Sequence, residues 1–223
     1  MIRQAAAAFM LLLCGSVAIA QTPVEPPPAV APASSLVLAP PAILDLAKSV
    51  HGTACEFEAE FGPDIRYAAY ELIYKADGDA PDQATRKGVL HELYCTSGAY
   101  NLTNVYFVTL SDNGMADANT AKPVQFATPA YSVVYEDDDS EKAVLRIDIQ
   151  GYTAIESLMN PDFDSAKGTM TSFDKLRGIG DASTIGTWQF LEGRFVLTHY
   201  EVDASFDGEI NPTIIYDAVP ETP

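Results

Sequence analysis

The chain has 223 residues and carries 31 Asp and Glu against 13 Lys and Arg, a net charge of −18. Such an excess of acid argues against a nucleic-acid surface, which needs clustered cations, and against docking on anionic lipid. Acids in this number keep a protein soluble and its copies apart, so a monomer is expected.

The N-terminus reads as an export signal. Arg3 gives a short positive region, Ala5 to Leu13 form an apolar run, and Ala18-Ile19-Ala20 offers the small-x-small pattern of a cleavage site. The run is short of the roughly 20 residues that span a bilayer. Residues 1–20 are therefore expected to be a signal peptide. The competing reading is lipid attachment at Cys14, but Leu13 is a poor neighbour for an acylated cysteine. The mature chain is expected to be periplasmic or secreted, with no membrane span.

Residues 21–41 are rich in Pro, Ala and Val and predict an extended spacer. A single β-rich domain is expected over 42–220. Pro41 opens a short helix with Ile43, Leu44, Ala47 and Val50 on one stripe, and Gly52 ends it.

Alternating and β-branched residues then predict strands at Tyr67–Lys75, Val89–Cys95 and Asn101–Leu110, with turns at Asp77-Gly78 and Asp112-Asn113-Gly114. Short strands follow near Val124–Phe126 and Ser132–Tyr135. Val144–Ile149 alternates, with Leu145, Ile147 and Ile149 on one face and Gly151 as its end. Thr153 to Met159 reads as a helical turn closed by Asn160-Pro161. Thr169–Phe173 is a strand, Gly186–Phe190 and Arg194–Val202 form a hairpin, and Thr213–Tyr216 is the last strand. About nine strands with short turns predict an all-β, mainly antiparallel fold. It would be a sandwich or an open barrel with a short N-terminal helix.

Cys55 and Cys95 are the two cysteines of the exported part, and an oxidising compartment lets them pair. Closing that loop would be worth about 4 kcal/mol on chain entropy. Two separate buried thiols are the alternative.

The blocks Leu158-Met-Asn-Pro-Asp-Phe-Asp164, Lys175-Leu-Arg-Gly-Ile-Gly-Asp181, Trp188 and Phe195-Val-Leu197 form a pattern. It resembles the uncharacterised exported bacterial proteins of domain-of-unknown-function family 1176. The resemblance implies a β-rich unit and no known activity or cofactor. It also implies a cysteine after the turn aspartate and another beyond the Phe-x-Leu strand. Here Ala182 stands in the first place, and no cysteine follows Cys95.

Chemistry is sparsely signalled. Arg177-Gly-Ile-Gly-Asp181 predicts a tight turn closed by an ion pair, or else an anion nest with Arg177. It lacks the third glycine of a dinucleotide fingerprint. Tyr67, Tyr70 and Tyr94 lead a crowd of tyrosines that would suit a core rim or a concave binding face. His51, His91 and His199 match no zinc spacing, and no Gly-x-Ser-x-Gly elbow is present. Asp203-Ala-Ser-Phe-Asp-Gly208 copies half a calcium loop, but Ile214 occupies the place of the closing Glu. An ordinary turn is expected there, and no metal or cofactor. The expected role is non-catalytic binding of an envelope protein or small ligand, or a structural one. The alternative is a periplasmic hydrolase using acidic residues.

Overall fold

The computed structural model describes residues 38–57, 66–80, 82–111, 117–140 and 142–218, all within one compact unit, Leu36–Pro223. The signal peptide, Cys14, most of the spacer and the turn at Asp112-Asn113-Gly114 lie outside the described residues.

Helix α1 runs Pro41–His51. Proline fits its first turn because the N–H there has no partner to lose. Ile43 and Ala47 are fully buried on one stripe. Gly52, at φ 52°, ends the helix, and residues 52–54 continue as a 3₁₀ turn.

All strand pairs are antiparallel and form three sheets, none closed into a barrel. The first orders β1 (Tyr67–Tyr74), β2 (Arg86–Ser97), β3 (Leu102–Ser111) and β4 (Lys122–Pro123), with β7 (Ser157–Met159) also on β3. The second is the long ribbon of β5 (Phe126–Tyr135) and β6 (Val144–Ile155). The third orders β12 (Thr213–Asp217), β11 (Arg194–Asp203), β10 (Ser183–Leu191), β9 (Thr169–Lys175) and β8 (Asp162–Asp164).

The first sheet is buried on both faces, which explains why β2 and β3 read as nearly continuous apolar runs. Leu93, Cys95, Val105 and Phe107 turn toward α1 and make a small core with Ile43, Ala47 and Phe57. Cys55 and Cys95, bridged with Cα atoms 4.4 Å apart, pin the chain after the helix to β2. Leu72, Leu90 and Tyr106 face the other way. They meet Phe126 of the ribbon and Trp188, Phe195, Leu197 and Val202 of the third sheet in one large core. Phe126 is its hub, with ring centroids 5.6 Å from Tyr106, 5.3 Å from Trp188 and 5.2 Å from Phe195.

An amide cluster joins the first sheet to the third. Asn160, at φ 43°, accepts from Leu102 N–H at 2.9 Å and donates to Asn101 Oδ1 at 2.8 Å and to the Phe173 carbonyl at 2.9 Å. Asn101 in turn donates to Asp174 and to the Lys175 carbonyl. Asn tolerates this left-handed backbone better than most residues, so the Asn-Pro block has a structural reason.

Three expectations need correcting. Thr153–Met159 is not a helical turn: β6 continues through Gly151 to Ile155, and β7 follows. Pairing with β5 skips Gln150, so the alternation breaks while the strand goes on. The two short strands near 124 and 132 are one strand, β5, and twelve strands rather than nine are described. Leu145 is also skipped in the pairing and is 62% exposed, whereas Val144 and Ile147 lean on the core.

Candidate functional site

The Arg177–Asp181 turn is a brace. Gly180, at φ 77°, lets the chain reverse, and its N–H donates to the Arg177 carbonyl at 2.9 Å. Arg177 grips Asp181 with Nε and Nη2, the Nε bond being 2.5 Å. Asp181 is 1% exposed, and its Oδ2 also accepts from Gly208 N–H at 2.9 Å. Arg177 donates to the Phe206 carbonyl at 2.9 Å and stacks over the Phe206 ring at 5.4 Å. The turn therefore spends its donors and acceptors on holding residues 206–208. The pattern at 177–181 announced the ion pair but gave no sign of its distant partner.

The loop so held leaves β11 at Asp203. Asp203, also 1% exposed, accepts from Ser205 N–H and Oγ–H on one oxygen and from Asn211 N–H at 2.8 Å on the other. Asp207 accepts from Glu209 N–H at 2.9 Å, which holds its carboxyl below the usual carboxylate range. The sequence that copies half a calcium loop thus folds as consecutive Asx turns, with Gly208 at φ 93°. Among the described residues no group of three or more His, Cys, Asp or Glu is arranged to hold a metal.

This loop walls a cleft of about 560 Å³. Val144 and Ile147 of β6 line it with Val202 and Ala204, and Phe206 contributes a ring. Lys142, Ser205, Asp207, Asn211 and Thr213 supply the polar part. With the Asp203 carboxyl also in the lining, the cleft is mixed in character, one side apolar and the other polar. Its walls come from segments some 60 residues apart, and nothing local in the sequence marks them as neighbours. A second cleft, about 380 Å³, lies between Leu72 and Ile73 of β1 and the turn at Ser165–Gly168.

The three tyrosine candidates do not share one face. Tyr67 packs on the α1 side, its hydroxyl 2.7 Å from His91 Nδ1. Tyr70 points to the large core, stacks edge-on against Phe163 and donates to Glu92 at 2.9 Å. Tyr94 donates to Ser97 at 3.0 Å, with the Arg66 guanidinium 6.0 Å from its ring centre.

Glu92 was not among the expected site residues. Its parity in β2, between Leu90 and Tyr94, was the available signal, because an acid there must face the large core. Burial pushes its carboxyl up, against the hydrogen bonds from Tyr70 and Asn104. The Tyr106 hydroxyl and Asn104 are buried beside it. Neither cleft is lined by Glu92.

The histidines stand apart from one another. Burial lowers the pKa of His51 and of His91. His199 bridges two strands, 2.7 Å from Glu201 and 3.3 Å from Asp217. The Glu201 bond is the main cause of its raised pKa.

The described residues define an acidic, antiparallel β domain in which a C-terminal turn braces a cleft wall. Among them no helix is long and apolar enough to cross a membrane. A family model described as "Protein of unknown function (DUF1176)" matches residues 74–210, more than half of the chain, and the chain belongs to that family. No curated protein and no solved structure gives a significant match.

Proposed function

We propose that this is an exported envelope domain with a non-catalytic binding role, and that its ligand occupies the cleft between β6 and the loop after β11. One observation carries the reading. The Arg177–Asp181 turn, the densest motif in the chain, is committed to fixing residues 206–208, of which Phe206 and Asp207 line that cleft. A wall held in place before the ligand arrives lowers the ordering cost of binding. The ligand class is small and amphipathic, with an apolar body against Val144, Ile147 and Phe206 and a polar group toward Asp207 and Asn211. Export rests on the signal-like residues 1–20, and the sandwich reading on a core shared by all three sheets. The residue pattern also supports a loss of the family's C-terminal cysteines, with buried Ala182 in place of one.

The test is a titration of the isotopically labelled domain with amphipathic fragments, followed by amide NMR. Shifts should concentrate at Val144, Ile147, Asn211 and Thr213, and Thr213→Trp should block them by filling the cleft. Shifts confined to Tyr67, Tyr70 and Tyr94 would refute the assignment.

The acidic-hydrolase reading has one supporting observation. Burial raises the pKa of the Glu92 carboxyl above its ordinary value, and Asp162 raises it further against the hydrogen bonds from Tyr70 and Asn104, the direction a general acid requires. It predicts an activity on glycan or peptide substrates that Glu92→Gln abolishes without unfolding the domain.

A further inference from the structure

The ribbon of β5 and β6 ends in an open edge. β6 is hydrogen-bonded along one side to β5, and among the described residues no strand pairs with its other side. Such an edge offers a row of backbone donors and acceptors to any strand that fits it. Between the two skipped residues, Leu145 and Gln150, lies a regular stretch from Arg146 to Ile149. Leu145 is 62% and Ile149 40% exposed. Arg146 and Asp148 are exposed and bridge each other at 2.8 Å.

This stretch is complementary to itself. A second copy running antiparallel, with the two-fold axis through Ile147, sets Arg146 opposite the second copy's Asp148, and Asp148 opposite its Arg146. The same register sets Ile147 opposite itself, inside the regular stretch. Opposite charges and apolar pairs directly across a sheet stabilise it, and like charges destabilise it. Neighbouring registers fail on those grounds. An axis through Asp148 sets two carboxylates face to face. An axis between Ile147 and Asp148 sets Arg146 against Ile149.

We infer that β6 is a self-pairing edge, and that two copies of this chain join their ribbons into one four-stranded antiparallel sheet about Ile147. The contact is isologous, as closed dimers are. One strand edge a side is short beside the roughly 20–30 residues a side of a standard interface, and the net charge of −18 opposes the contact. Association is therefore weak and concentration-dependent. The monomer expected from composition is its low-concentration limit.

Sedimentation velocity on the mature chain, from micromolar to millimolar, tests this. The dimer fraction should rise with concentration. Arg146→Asp and Asp148→Arg should each weaken association roughly tenfold, since each turns two attractive cross-strand pairs repulsive. An equimolar mixture of the two variants should recover it, because each then carries the charges the other lacks. Both positions are exposed, and circular dichroism checks that the fold is kept. A wild-type chain that stays monomeric throughout would overturn the inference. So would association indifferent to either variant, or a mixture that fails to recover.

Discussion

The indole of Trp188 lies over the α-carbon of Gly186, so close that a β-carbon there would come within 2.2 Å of the ring. The two lie two residues apart on β10, which pairs regularly with β9 here, and so share one face of the strand. The ring is fully buried, and its N–H donates to the Ala127 carbonyl at 2.7 Å, tying the third sheet to the ribbon. Gly186→Ala must displace the largest side chain of the core. We expect a loss of about 3 kcal/mol, the upper part of the usual range for overpacking, read as a lower denaturation midpoint with unchanged slope.

Removing either end of the Arg177–Asp181 brace should loosen the loop after β11. Asp181→Ala strands the guanidinium and the Gly208 N–H together. A loss of about 2–4 kcal/mol is expected, moderated by the partial exposure of Arg177. Arg177→Lys should also fail, because an ammonium cannot hold both carboxylate oxygens and stack on Phe206 at once. Hydrogen exchange should show Gly208 and Asn211 amides losing protection before those of β10.

These two sites show what the sequence makes legible. The hairpin of β10 and β11 was readable because Trp188, Phe190, Phe195 and Leu197 alternate in their own strands. The ion pair was readable because its partners lie four residues apart. The reach of Arg177 to Phe206 was hidden by separation along the chain, as was the meeting of Val144 with Val202. Thr153–Met159 misled for a related reason. Its residues look helical in isolation, but Phe126 to Thr128 pair with Thr153–Ile155 and Thr103 to Val105 pair with Ser157–Met159.

Intact-mass measurement of the purified protein should show two fewer hydrogens than the reduced chain, from the Cys55–Cys95 bond. Reduction should cost about 4 kcal/mol for a closed loop of this length. Limited proteolysis should then cut first near α1, which rests on the smaller core.

His199 gives a pH dependence of definite sign. Its pKa is raised in the fold by Glu201 and Asp217. Its contribution is therefore fully present below the ordinary value of 6.5 and is lost as pH rises through the raised one. His199→Gln should lower the melting temperature at about pH 6 and leave it nearly unchanged at about pH 9. The difference between the two chains isolates this residue from His51 and His91, whose lowered values act in the opposite direction.

The amide cluster of Asn101 and Asn160 also orders events in time. Its hydrogen bonds join residues 59 and 74 positions apart. A chain that emerges N-terminus first presents β1 to β3 long before Asn160 and Lys175 are available. The bond between Cys55 and Cys95 needs only the first 95 residues. During synthesis, therefore, the partners that staple β2 to its helix are complete before any strand of the third sheet exists, and those that fasten the first sheet to the third come only with Lys175.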